Sequence, residues 1–284
     1  MISAGAWSGQ DVAGTLRMPT DADHKYSRGV VGVRTGSDLF PGAAVLGVEA
    51  AWRTGIGMVR YLGPAGAAAA VLQRRPETVT VAGAVQAWLI GSGTDAASRT
   101  DEETAALREV LSGEQPVVVD AGALDLAPAA SAPLVVSPHD REHARLRAAL
   151  GLDVFDAADD RADRAAAAAE TAAALGGVVL LKGAETLVAA PDGRLVRVRA
   201  GTPWLATAGT GDVLGGVLGA LVAGAVAADG PAGADLVGAA ASAAWLHGQA
   251  GVRAARDVGG GPITALDVAE ALPRVVAHVL SGRA

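Results

Sequence analysis

Residues 202–224 read TPWLATAGTGDVLGGVLGALVAG: small residues and glycines close on one aspartate, and a run without charge follows. How that run is read decides the fold. As a membrane span it has in its favour a continuously apolar stretch, residues 213–228, with Gly215 and Gly219 at the spacing of a helix-pairing motif. Against it, the run is shorter than the ~20 residues a bilayer requires. Asp212 and Asp229 bracket it, and the next apolar segment carries His247 and Gln249. The expectation is therefore a buried core helix, with no membrane partner.

Composition supports a large core. Of 284 residues 51% are hydrophobic, but only 3% are aromatic, so alanine, valine and leucine must do most of the packing. The mean hydropathy is +0.33. The absence of cysteine rules out disulfides and thiolate metal sites and suits a reducing compartment. A net charge of −7, with no Lys/Arg run longer than two residues, disfavours nucleic acid as a partner. The N-terminus, MISAGAWSGQDVAG, lacks a basic region followed by an apolar one, so a cytoplasmic location is expected.

Upstream of residue 202, compact apolar runs alternate with alanine-rich helical segments. VVGVR (30–34), MVRYL (58–62), AWLIG (87–91), PVVVD (116–120), LVVSP (134–138) and VVLLKG (178–183) read as strands covered on both faces. Pro41 suits a first helical turn, and Thr100 with Glu103 forms a capping box. TLVAAPDGRLVRVR (186–199) alternates around Asp192-Gly193, the signature of a hairpin. Three helices close the chain, with Pro273 placed to kink the last. The pattern predicts an α/β fold: a mostly parallel central sheet, helices on both faces and a β-hairpin at one side. Residues 1–23 are taken as an N-terminal extension and residues 24–284 as one domain.

In such sheets ligands bind beyond the carboxyl ends of the strands. The polar residues that interrupt the apolar sequence fall there: Ser92 and Gly93, Asp120, His139 and Lys182. The AGTGD loop joins them at the start of a helix. Glycines before a helix leave backbone N–H groups free and the helix dipole adds positive potential, so Gly209, Thr210 and Gly211 form a candidate anion hole. Beside a bound phosphate, Asp212 is suited to take a proton from an attacking hydroxyl or to hold Mg²⁺ through water. The alternative is that Asp212 only complements the helix dipole. Lys182, Gly183, Ala184, Glu185 and Thr186 offer a nucleotide contact or an ordinary turn into the hairpin. His139 could bond a substrate amide, with Glu142 one turn on; alternatively Asp140 and Glu142 only complement a helix N-terminus. His24 and Lys25 read as surface, and His143, His247 and His278 receive no role. Neither GxxxxGK[ST] nor a GxGxxG after the first strand is present, and no hydrolase triad or HExxH pattern appears.

The motifs, taken in order, resemble a known family. HKYSRG (24–29), FPGAAVLGVEAAWRTGIGMVRY (40–61), IGSG (90–93), VVVDAGAL (117–124), SPHDREHARL (137–146), LLKGAETLVAAPDGR (180–194) and LATAGTGDVLGG (205–216) resemble the ADP-dependent NAD(P)H-hydrate dehydratases of the ribokinase-like superfamily. The resemblance implies dehydration of the (6S) hydrate of NADH or NADPH, with ADP as co-substrate consumed to AMP and phosphate, usually with Mg²⁺. The implied route is phosphorylation of the hydrate hydroxyl followed by loss of phosphate, with Asp212 as the base. By position, Ala43, Gly93, His139 and Asp212 would face the hydrate. Lys182, Gly183, Ala184, Glu185, Thr186 and Gly211 would hold the AMP portion.

Departures occur at Arg34-Thr35-Gly36-Ser37, which stands where the family often has a glycine pair and would place a cation beside the substrate, at Arg141 in place of glycine, and at Trp204 within GTPWL. Trp204 would narrow the pocket or stack on a ring. The stretch before His24 is too short for the epimerase domain that sometimes precedes this one, so a separate epimerase is expected in the same pathway. Family members are often tetramers, which makes a homo-oligomer the expectation. The competing reading is a ribokinase-like, ATP-dependent kinase of a small vitamin-type alcohol; a further alternative is a nucleotide sensor without activity.

Overall fold

The computed structural model describes residues 6–154 and 161–282. Eight strands form one sheet in the order β2-β1-β3-β4-β5-β6-β7-β8. They are β1 (Val30–Arg34), β2 (Met58–Tyr61), β3 (Ala87–Ile90), β4 (Val117–Val119), β5 (Leu134–Val136), β6 (Val178–Leu181), β7 (Thr186–Ala189) and β8 (Leu195–Val198). The first six are parallel, and β7 and β8 form the antiparallel hairpin read from Asp192-Gly193.

Successive side chains on these strands serve opposite cores, which is why the runs are apolar throughout rather than alternating. Val118 and Leu180 face a core shared with α2 (Pro41–Thr54), α7 (Thr210–Asp229), α8 (Leu236–Asp257) and α9 (Ala265–Leu280). Val117, Val119, Val179 and Leu181 face a second core, closed by α4 (Asp101–Leu111), α5 (Asp140–Ala149) and α6 (Arg161–Leu175). α3 (Ala65–Arg74) packs beside α2.

The apolar run of the opening stretch is α7. Its helix is 20 residues long because it starts at Thr210, so length alone does not separate it from a bilayer span. Its neighbours do: α7 is packed between α2, α8 and strands β1 and β3. The glycines explain the close fit. A Cβ on Gly216 would lie 2.1 Å from the Gly47 carbonyl oxygen of α2, and one on Gly219 would lie 3.2 Å from Val31 Cγ2. Gly216→Ala must push α2 and α7 apart, an overpacking cost of about 1–3 kcal/mol. Denaturant unfolding is expected to show that loss, and an unchanged midpoint would contradict the contact.

Pro273, expected to kink the last helix, lies inside α9, which runs through it from Ala265 to Leu280. A 3₁₀ segment, Ala121–Ala129, follows β4 without a sequence signal. The N-terminal extension is packed onto the domain: α1 (Gly9–Thr15) lies against α8. Val12 there is fully buried and the Trp7 indole N–H donates to Ser242 Oγ at 3.0 Å.

Candidate active site

The carboxyl ends of β1, β3, β4, β5 and β6 lie along one edge of the sheet, and the N-terminus of α7 reaches the same edge. The buried carboxylate of Asp120, just past β4, ties this edge together. It accepts from Ser92 Oγ at 3.1 Å, from Ser137 Oγ at 3.0 Å and from Lys182 Nζ at 2.7 Å. Loops after β3, β5 and β6 thus converge on one side chain. The residue that follows, Ala121, has φ +47°, a left-handed conformation unfavourable for alanine. Sequence reading placed Asp120 at this edge but gave it no role.

Lys182 is the only cation among the described residues that pairs with Asp120. It also lies 3.6 Å from Glu142 Oε2, and its backbone N–H donates to the Pro138 carbonyl. Burial works against the ammonium, but Asp120 and Glu142 outweigh it and hold the Lys182 pKa above its ordinary value. Arg164 fixes the loop from behind, donating to the carbonyls of Lys182 and Glu185 while pairing with Asp140.

Asp212 occupies the third position of α7. The helix N-cap is Gly209, at φ +87°, and no side chain caps it. A Cβ on Gly209 would meet Leu46 Cδ1 at 2.6 Å, so its glycine serves the turn and its packing rather than approach to an anion. Gly211 is different: a Cβ there would meet nothing closer than Lys182 Nζ at 3.9 Å. The space over Gly211 is open and faces a cation. Among the described residues, no hydrogen bond reaches the Asp212 carboxylate. Burial, then the charge of Asp120, push its pKa up to about 6, against the opposing pull of Lys182. That is not the state of a helix cap, which would be stabilised as the anion.

A cavity of about 500 Å³ opens beside this loop, lined by Lys182, Gly183, Ala184, Thr186, Gly211 and His247, among others. Five of the six residues expected to hold the AMP portion, Lys182, Gly183, Ala184, Thr186 and Gly211, therefore line one cavity, but Glu185 does not join them. Its carboxylate is turned to the hairpin, where Arg197 and Arg199 each pair with it at 2.7 Å. His247, given no role from sequence, is buried, and among the described residues its Nε2 has no hydrogen-bond partner. Burial pushes its pKa down to about 4, so it faces the cavity as a neutral imidazole. A histidine on an apolar helix carries no sequence signal for this.

Ala43 and Gly93 meet one another. A Cβ on Gly93 would lie 2.4 Å from Ala43 Cβ and 3.0 Å from the Phe40 carbonyl oxygen. His139 is partly committed: its Nδ1 accepts from the Glu142 N–H at 3.2 Å, while Glu142 accepts from the His139 N–H. The ring is a helix cap with its Nε2 edge turned to Glu142 Oε1 at 3.4 Å. Trp204 does not line the cavity; its indole N–H donates to the Gly260 carbonyl, and Pro203 and Leu205 form the wall instead. Arg141 is exposed on α5.

Comparison with known proteins finds relatives over most of the chain. The family model described as NAD(P)H-hydrate dehydratase matches residues 31–274. A bifunctional NAD(P)H-hydrate repair enzyme of Mycobacterium tuberculosis is 44% identical over 226 residues, 75% of this chain and 45% of that protein. The ADP-dependent (S)-NAD(P)H-hydrate dehydratase of Neisseria meningitidis serogroup B is 35% identical, with 80% of this chain and 77% of that one aligned. The chain spans about half the length of the bifunctional relatives it matches. An ADP/ATP-dependent NAD(P)H-hydrate dehydratase from Bacillus subtilis, crystallised with ATP and Mg²⁺, superimposes with a TM-score of 0.82 at 28% identity. That alignment covers 98% of this chain and all of the other.

Proposed function

The chain belongs to the NAD(P)H-hydrate dehydratase family, and from that premise we propose that it returns the (6S) hydrates of NADH and NADPH to the reduced cofactors at the expense of ADP. The observation that carries the reading is Asp212: a half-buried carboxylate without a hydrogen-bond partner among the described residues, raised to a pKa of about 6, at the mouth of a helix N-terminus. A general base works best with a pKa near the working pH.

In the proposed reaction the hydrate's ring hydroxyl attacks the β-phosphorus of ADP and gives its proton to Asp212, and AMP leaves. The new C–O–phosphate bond then breaks, phosphate departs, the adjacent ring carbon loses a proton, and the double bond is restored. The N–H groups of Gly209 and Gly211 would hold the transferring phosphoryl group, with Lys182 across the open space above Gly211, whereas the Thr210 N–H, expected in the same anion hole, already donates to the Thr207 carbonyl at 3.3 Å. Gly183, Ala184 and Thr186 would line the AMP site with His247, and Ala43, Gly93 and His139 would face the hydrate. Glu185 would act only through its backbone.

Among the described residues no group of three acidic or histidine side chains could cage a metal. The site fits Mg²⁺ only as an ion carried on the nucleotide phosphates, with Asp212 or Glu142 bonding its waters. Once bound it would neutralise phosphate charge. The same reading implies a separate epimerase partner, a cytoplasmic nicotinamide pool and a homo-oligomer.

The deciding experiment is incubation of chemically prepared NADH hydrate with ADP, following recovery of the reduced-nicotinamide absorbance. Turnover of a vitamin-type alcohol with ATP, and none of the hydrate, would establish the kinase reading instead. Tight ADP binding without either turnover would establish a sensor. The pH profile is a second check. Asp212 must be deprotonated to accept the proton, so kcat/KM is expected to fall below pH ~6 with a single acidic limb. A profile flat down to pH 4.5 would remove Asp212 as the base.

A further inference from the structure

Beside Gly36 and Thr94 lies a second hollow of about 390 Å³, lined also by Arg34, Arg99 and Glu103 among others. Its cations are not equivalent. Arg99 is satisfied: its guanidinium grips Asp125 at 2.7 and 3.2 Å and donates to the Gly122 carbonyl at 2.5 Å. Glu103 is committed to the cap of α4, accepting from the Thr100 N–H at 2.9 Å. Glu102 lies exposed at the rim. Arg34, at the last position of β1, has no carboxylate within ion-pair distance among the described residues, and its Nε is buried without a partner. Leaving a buried donor unpaired is costly, and a guanidinium offers a planar fork matched to phosphate oxygens.

The hollow adjoins the hydrate site. Gly36 and Thr94 line it, and a Cβ on Gly93 would lie 3.1 Å from Gly36 Cα. In the reading above ADP takes the cavity beside Lys182 and Gly211, which shares no lining residue with this hollow. A substrate made of two nucleotides, with its reacting ring at Asp212, then has this hollow, beside Gly93 and Gly36, as room for its other half.

Resting on the dehydratase reading, we propose that Arg34 is the phosphate anchor of the dinucleotide substrate: its guanidinium binds a phosphate group of the hydrate in the hollow beside Gly36 and Thr94. Two phosphates carry this chemistry. The pyrophosphate is common to both hydrates, and the 2′-phosphate belongs to the NADPH form alone.

The reaction products separate these sources, because NADH and NADPH are stable and fluorescent. Each is titrated into ADP-saturated wild type, Arg34→Gln and Arg34→Lys. Losing a hydrogen bond to a charged partner weakens binding roughly ten- to a hundredfold. A loss of that size for both products in Arg34→Gln assigns the pyrophosphate; a loss for NADPH alone assigns the 2′-phosphate. Arg34→Lys, which keeps the charge without the fork, should fall between. ADP affinity and the melting temperature should stay at wild-type values in both variants. Unchanged affinity for both products in Arg34→Gln overturns the anchor while the dehydratase reading stands. A wild type that binds ADP but neither product, and does not turn over the hydrate, sinks both.

Discussion

Asp212→Asn is expected to fold, to bind ADP as wild type does, and to lose about 10²–10⁴-fold in turnover of the hydrate. The amide keeps the shape and the place in α7 but cannot take the hydroxyl proton. The same variant should melt at a higher temperature than wild type at pH 7.5. The Asp212 pKa is raised from an ordinary 3.8 to about 6, chiefly by burial, so the folded state resists its ionisation. Its contribution to stability is full below pH ~4 and is lost as pH rises through about 6. The melting-temperature gap between variant and wild type should therefore open between pH 4 and 6 and stay open above. A variant with near-wild-type turnover, or one less stable than wild type at pH 7.5, would return Asp212 to the status of a helix-terminal residue.

Lys182→Ala should be damaging in two ways. The ammonium sits 2.7 Å from Asp120 and 3.6 Å from Glu142, so its removal leaves two largely buried carboxylates without their counter-ion. Breaking such a pair from one side costs about 3–5 kcal/mol. Denaturant unfolding should show that deficit as a lower midpoint. ADP affinity should also fall, by roughly ten- to a hundredfold, if the ammonium reaches a phosphate over Gly211. Calorimetric titration of ADP at two salt concentrations reads that effect in whatever fraction is folded. Loss of stability with ADP affinity untouched would make Lys182 a structural cation and remove it from the nucleotide site. Unchanged stability would contradict the ion pairs themselves.

Much of this architecture was legible from residue patterns alone. Unbroken runs such as VVV at residues 117–119 require cover on both faces, and the two cores supply it. Polar residues at strand ends identified the edge where the site lies, and Asp192-Gly193 identified the hairpin. What escaped depends on contacts between distant segments. Asp120 looked like one acidic residue among many until Ser92, Ser137 and Lys182 met on it. Glu185 and Trp204 were assigned to the pocket by neighbourhood in sequence. Arg197 and Arg199 turn the first away, and the Gly260 carbonyl holds the second. His139 presents the same lesson: its ring was read as a contact for a substrate amide, and its Nδ1 serves the α5 cap. The Gly209-Gly211 pair divides its labour, one shaping the turn and the other leaving room above it.

Ala121 sets thermal adaptation against catalysis. Alanine held at φ +47° stores about 1–3 kcal/mol that glycine or asparagine would not. A lineage under pressure for heat resistance has an easy step available at this position, since relaxing the backbone there is nearly free. The same relaxation would loosen the turn that aims Asp120 at Lys182, Ser92 and Ser137, and through it the field around Asp212. Residue 121 is thus a place where backbone relaxation and a fixed direction for the Asp120 carboxylate make opposite demands on one dihedral angle.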